Sequence, residues 1–104
     1  MINLKMIADG YAAGIIKIID SPHEDGAVCQ IGDIWFYFGG EEAESSSAEE
    51  YKKNVPAADI INEIFSALED FKTSGDELLD EYMYYECYLS ERLQGTMTNN
   101  KITL

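Results

Sequence analysis

Two pentapeptides, AVCQI (27–31) and IWFYF (34–38), flank Gly32-Asp33. A two-residue loop with Gly first fits a type II′ turn, whose twist suits the strands it joins. This pairing sets Ile31 opposite Ile34, Cys29 opposite Phe36 and Ala27 opposite Phe38. Gln30 with Trp35, and Val28 with Tyr37, fall on the other face. The first set is wholly apolar and is assigned to the core. Trp35 and Tyr37 are left partly covered or exposed, which suits their polar N–H and O–H groups.

The rest of the first 38 residues also reads as strand. Ile2 to Ile7 is apolar with Asn3 and Lys5 interleaved, and Asp9-Gly10 is a hairpin-type turn signal. Tyr11 to Ile19 carries Ile15, Ile16, Ile18 and Ile19, a β-branched run suited to a sheet. Ser21 to Gly26 reads as a loop. Residues 39–55, GGEEAESSSAEEYKKNV, are rich in Ser and Glu without apolar period, and read as a flexible acidic linker or surface loop. Pro56 suits the first position of a helix. Ile60, Ile61, Ile64, Phe65, Leu68 and Phe71 then recur at helical spacing. Thr73-Ser74-Gly75 breaks that helix, and Ser74 with Glu77 forms a capping box for a second one, running to about Leu93. Leu78, Tyr82, Tyr85 and Leu89 make its buried stripe. Residues 94–104 read as a tail, either loose or adding a short edge strand at Ile102 to Leu104. The expected architecture is one α+β domain: a four-stranded antiparallel meander (1–38), the linker (39–55), and two helices (56–93) packed on one face of the sheet.

Twenty acidic residues against seven basic ones give a net charge of -13. Fifteen of the twenty lie between Glu41 and Glu91, against Lys52, Lys53 and Lys72. Small soluble domains usually need a net charge of only about 2–8 in magnitude. The surplus implies either extra solubility or a basic partner. It argues against direct binding of nucleic acid or anionic membranes, whose phosphates would repel it. Hydrophobic residues at 46% exclude a disordered acidic tail. No apolar run approaches the roughly 20 residues of a membrane span. The start MINLKM lacks a signal-peptide pattern, so a cytoplasmic location is expected. Cys29 and Cys87 read as reduced core thiols.

No pattern of catalytic chemistry stands out. The one histidine, His23, lies in the loop SPHEDG beside Glu24 and Asp25, too few ligands for a metal site. Acid pairs four apart, such as Glu77 with Glu81, lack the Glu-x-x-His motif of bundle metal sites. Neither cysteine has a histidine near it in sequence, and neighbouring carboxylates disfavour a thiolate. Gly39-Gly40 lacks the other glycines and the Lys-Ser/Thr end of a phosphate loop. The chain reads as a non-enzyme, with no catalytic residue, metal or cofactor assigned.

The second helix, DELLDEYMYYECYLSE, carries the sharper signal. With Tyr82 and Tyr85 inward, Tyr84 and Tyr88 are expected outward among Asp76, Glu77, Asp80, Glu81 and Glu91. Acids at i and i+4 weaken a helix by tenths of a kcal/mol, so they do not serve local stability. Exposed tyrosine beside carboxylate is interface composition. These residues, with Trp35, form the expected partner-binding set. Residues 76–91 hold six acids over roughly 24 Å of helix. Duplex DNA carries one charge per about 1.7 Å of axis, more than twice that density. Phosphate mimicry therefore requires the linker acids and the first helix's outer face to lie alongside.

The Trp35–Phe38 hairpin strand, the acidic linker and the helix dense in Glu, Asp and Tyr resemble small acidic α+β proteins of phages and mobile elements. That group includes DNA-mimic anti-CRISPR proteins, which occupy the DNA-binding groove of a CRISPR nuclease, and other inhibitors of host defence. The resemblance covers residues 27–91 in composition and element order. It implies a basic, nucleic-acid-handling protein partner with an Arg/Lys-lined groove. The other reading is an immunity-like or accessory binding protein without nucleic-acid mimicry, or a homodimer joined through the Trp35/Tyr37 face.

Overall fold

The computed structural model describes residues 1–103, except for the side chains of residues 76, 77 and 95–103. The fold is α+β, as expected, and among the described residues it has three antiparallel strands rather than four and five helices rather than two. The strands β1 (Ile16–Asp20), β2 (Ala27–Ile31) and β3 (Ile34–Phe36) lie in the order β1-β2-β3. The hairpin register is the one expected, with Cys29 opposite Phe36, Gln30 opposite Trp35 and Ile31 opposite Ile34. Gly32 takes a left-handed φ of 69°, which a Gly-first turn requires. The ladder stops at Phe36, so Val28–Tyr37 and Ala27–Phe38 are not strand pairs, although Phe38 is still buried.

The first expected strand is instead a helix, α1 (Leu4–Ala12). Asn3 caps it, accepting the Met6 N–H on its side-chain oxygen at 2.9 Å. Lys5 and Asp9 pair one turn apart at 2.7 Å. Ile2, Leu4 and Met6 fit a strand's alternation, but Ile7, Gly10 and Tyr11 fit a helix face. The helix face wins because it packs: Ile7 and Gly10 are buried, while Leu4 is 45% exposed. Gly10 is the contact point rather than a turn. A Cβ there would meet Ile16 Cδ1 at 3.0 Å and Leu89 Cδ2 at 3.3 Å.

Residues 39–55 are not a flexible linker. They form α2 (Gly40–Glu44) and α3 (Ala48–Asn54). Ser47 accepts the Glu50 N–H at 3.2 Å, and the Asp20 carboxylate takes the Ala48 N–H at 2.8 Å. Glu49 and Glu50 in the first turn of α3, with Lys52 and Lys53 in the last, complement the helix dipole. Ala43, Ala48, Tyr51 and Val55 are buried, and Phe38 meets Tyr51 edge-on at 5.4 Å. Gly39-Gly40 makes the turn into α2. A Cβ on Gly39 would stand 2.9 Å from the Tyr51 hydroxyl.

The two expected helices form as α4 (Ala57–Thr73) and α5 (Asp76–Thr103). Pro56 sits one place earlier than expected, as the N-cap of α4. Ser74, expected to open α5, is instead the C-cap of α4, with α5 starting at Asp76. Its hydroxyl donates back to the Asp70 carbonyl and closes α4. The expected tail is neither loose nor an edge strand at Ile102 and Thr103: α5 is helical to Thr103, past the expected end near Leu93. Leu104 lies outside the described residues. Core-face residues Ile16, Ile18, Cys29, Ile31 and Phe36 pack in one cluster with Ile7 of α1, Ile60, Ile64 and Leu68 of α4, and Tyr85 and Leu89 of α5. Phe71 joins the sheet to α5, edge-on to Phe36 at 5.3 Å and stacked on Tyr85 at 6.2 Å. Cys29 is buried with its thiol free, but Cys87 is exposed, not a core thiol.

Leu68 is wholly buried, whereas Phe65 is half-buried against the same cluster. Leu68→Ala should therefore destabilise by about 2–5 kcal/mol and Phe65→Ala by less than a fully buried Phe truncation. Denaturant midpoints at unchanged m-value read this, and equal midpoints for Leu68→Ala and the original protein would misplace the α4 stripe. The Tyr85 hydroxyl is buried with no hydrogen-bond partner among the described residues. Tyr82 by contrast accepts the Ile2 N–H at 3.1 Å. Tyr85→Phe should be neutral or stabilising and Tyr82→Phe should cost about 0.5–1.5 kcal/mol.

Candidate functional site

The partner-binding set expected on α5 is divided in the structure. Asp76 and Glu77 open α5, and their side chains lie outside the described residues. Asp80 and Glu91 are exposed, about 16 Å apart along the helix axis. Glu81 is half-buried beside Tyr85, whose hydroxyl pKa is raised first by burial and then by the Glu81 charge. Trp35 stands on the opposite face of the sheet from Phe36 and α5. There it meets Tyr37 edge-on at 5.3 Å and His23 at 5.6 Å.

Tyr84 and Tyr88 do not project outward. The β2–β3 turn reaches over α5 and covers them. The Asp33 N–H donates to the Tyr84 hydroxyl at 3.2 Å, and the two rings stack at 6.1 Å. The Arg92 guanidinium lies 5.0 Å from the Tyr88 ring centre. These tyrosines fasten the hairpin to the helix. Helical periodicity alone cannot show this, because the covering group is distant in sequence.

Acids do converge, but around α2 rather than along α5. A hollow of about 330 Å³ is lined by Glu44 of α2, Glu63 and Asp70 of α4, and Tyr37, which is 48% exposed. A second, of about 450 Å³, is lined by Asp20, Glu24, Asp25 and Glu50 with Ser45 to Ser47. Gly26 makes this approach: a Cβ there would stand 2.8 Å from the Glu44 carbonyl. The described lysines form one ion pair, Lys5 with Asp9, and none reaches either hollow's carboxylates. The phenol of Tyr51 registers the surrounding charge. Burial, then Glu63, Glu42, Tyr11 and Asp59, push its pKa up to about 12. Sequence reasoning missed Asp20, Tyr37, Glu44, Glu50, Glu63 and Asp70 as a group. The available signal was Ser47-x-x-Glu50, a capping box that puts the supposed linker on a helix.

Among the described residues, no group of three or more His, Cys, Asp or Glu side chains is placed to hold a metal ion. No described helix is long and apolar enough to cross a membrane. Burial raises the Cys29 thiol pKa well above its ordinary value, which makes it inert. No family model, curated protein or solved structure matches the chain.

Gly32 and Tyr84 should be energetically coupled. A Cβ on Gly32 would stand 2.5 Å from the Tyr84 hydroxyl, at a left-handed φ of 69°. Gly32→Ala should cost about 1–2 kcal/mol from the backbone alone, plus the clash. In a Tyr84→Phe background the clash is relieved and the cost should fall. Four denaturation curves test this, and strict additivity would mean that the hairpin does not rest on Tyr84. A second expectation concerns alkali. Tyr51 holds its proton to about 12 when folded but only to the ordinary phenol value of 10.0 when unfolded. The unfolded state binds fewer protons between those values, so stability is fully kept below 10.0 and falls as pH rises toward 12. Tyr51→Phe should flatten that part of the stability-versus-pH curve.

Proposed function

We propose that this protein is a non-catalytic, protein-binding inhibitor that presents carboxylates around α2 to a basic, nucleic-acid-handling partner. The observation that carries this reading is the hollow where Glu44, Glu63 and Asp70 meet the exposed Tyr37. Carboxylates without a lysine counter-ion suit Arg and Lys side chains, and charge-assisted pairs to Arg are the stronger polar contacts. Tyr37 adds a large, half-rigid contact area beside them. The second acidic hollow lies across α2, so an Arg/Lys-lined groove that spans both would meet charge from two directions. Such a groove, of which the DNA-binding cleft of a CRISPR nuclease is an example, normally holds phosphates. The inhibitor would act by displacing them.

The second reading is an immunity-like or accessory binding protein without nucleic-acid mimicry. The cluster of His23, Trp35 and Tyr37 on the outer sheet face favours it, since aromatic groups anchor interfaces. That face would also serve a homodimer.

A competition titration separates the two. The partner is captured from lysate, identified, and titrated with this protein in the presence and absence of duplex DNA. Competition with the duplex supports mimicry, and simultaneous binding supports the second reading. Changing Glu44, Glu63 and Asp70 to Lys should weaken binding by several kcal/mol, because like charges are brought together in a partly desolvated groove. Thermal unfolding should change little, since Glu44, Glu63 and Asp70 are exposed. Binding undiminished in that variant would make the α2 surface a solubility feature and sink the proposal.

A further inference from the structure

His23, Trp35 and Tyr37 form a row of rings on the sheet face turned away from α5. His23 lies 5.6 Å from Trp35, and Tyr37 meets Trp35 edge-on at 5.3 Å with an interplanar angle of 87°. Trp35 is opposite Gln30 in the ladder, so its side chain stands away from that of Phe36, which packs on Tyr85 of α5. The row is open to solvent: Tyr37 is 48% exposed, His23 is exposed and Trp35 is half-buried. Perpendicular rings turn two faces to a common corner, and each face carries the negative potential of its π-system.

Each end of the row runs into carboxylates. Tyr37 lines the hollow that holds Glu44, Glu63 and Asp70. His23 is followed in the chain by Glu24 and Asp25, which line the other acidic hollow. Among the described residues no lysine or arginine lines either hollow, and no cation lies over Trp35 or Tyr37, as Arg92 does over Tyr88. Lys17 shares the sheet face but stands on β1, two strands from Trp35. An aromatic surface between two negative patches suits a planar cation. A guanidinium stacks on aromatic faces, is more weakly hydrated than an ammonium, and keeps its N–H groups for carboxylates.

We propose that Trp35 and Tyr37 receive an arginine side chain of the basic partner. The guanidinium stacks on the rings, and its N–H edge turns to the carboxylates beside Tyr37. The inference rests on the reading of a basic partner and adds which of its side chains this surface selects. A second copy of this chain is the less suited occupant. Row laid against row would set carboxylates against carboxylates at both ends, between two chains of charge -13.

The probes are a short Gly/Arg repeat peptide and the matching Gly/Lys peptide, each titrated against the full chain. Trp35 is the chain's one tryptophan, so its emission reports binding at the row. The Arg peptide should change that emission to saturation. It should bind at least about threefold more tightly than the Lys peptide, the scale of an exposed cation–π contact. Tyr37→Leu should remove the preference for Arg, and Tyr37→Phe, which keeps the ring, should retain it. Tyr37 is 48% exposed, so thermal unfolding should move little in either variant. The proposal is overturned if neither peptide binds saturably, if both bind equally, if Trp35 emission ignores the Arg peptide, or if Tyr37→Leu keeps the full preference. Equal, salt-sensitive binding of both peptides would leave the carboxylate reading standing, so the two failures are distinguishable. Concentration-dependent dimerisation lost on Tyr37→Leu would also overturn the proposal, by giving the face to a second copy.

Discussion

The face of β2 that carries Ala27, Cys29 and Ile31 organises the molecule. Ala27, Cys29 and Ile31 point to one side, in register with Ile16 and Ile18 of β1 and with Ile34 and Phe36 of β3. Apolar surface left in water is unfavourable in proportion to its area, so that face is covered by helices. α1, α4 and α5 all supply side chains to it. Two glycines set how closely the cover sits: Gly10 lets α1 approach β1 and α5, and Gly32 lets the hairpin tip settle on Tyr84. With the apolar groups gathered inside, the acids of α2, α3 and α4 can only face outward.

The hairpin was legible because two independent local rules agree there. Gly32-Asp33 fixes the turn, and period-two alternation fixes the face, so no distant contact is needed. α4 was legible for the same reason, since Ile60, Ile64 and Leu68 recur on one helical face and all are buried. Residues 2–12 obey both periods. The tie is broken by Asn3 capping Met6 and by the Ile2 N–H reaching Tyr82 of α5, and the second contact lies outside any local window. Residues 39–55 misled through composition. Their apolar content is Ala43, Ala48, Tyr51 and Val55, too sparse to look periodic, yet short helices at a sheet's margin bury few side chains.

The candidate site was legible in kind and not in place. The excess of acid is a property of composition and survives any fold. Its focus depends on which helices become neighbours. Glu44 and Asp70 are far apart in sequence and line one hollow because Gly39 turns the chain back after Phe38. Tyr84 and Tyr88 moved the other way, from an expected interface to the inside of a hairpin contact. Both errors have one source: a helical wheel reports which residues share a face and is silent on what covers it.

Segregation of charge has a consequence for recognition. At physiological salt the Debye length is about 8 Å, short compared with the 43 × 34 × 22 Å extents of the molecule. A ligand at the surface therefore responds chiefly to local charge and not to the net -13. What the carboxylates around α2 could attract thus depends on where they lie and not on the total charge. For the basic partner proposed above, attraction therefore grows only within about a Debye length, where it would meet the carboxylates around α2.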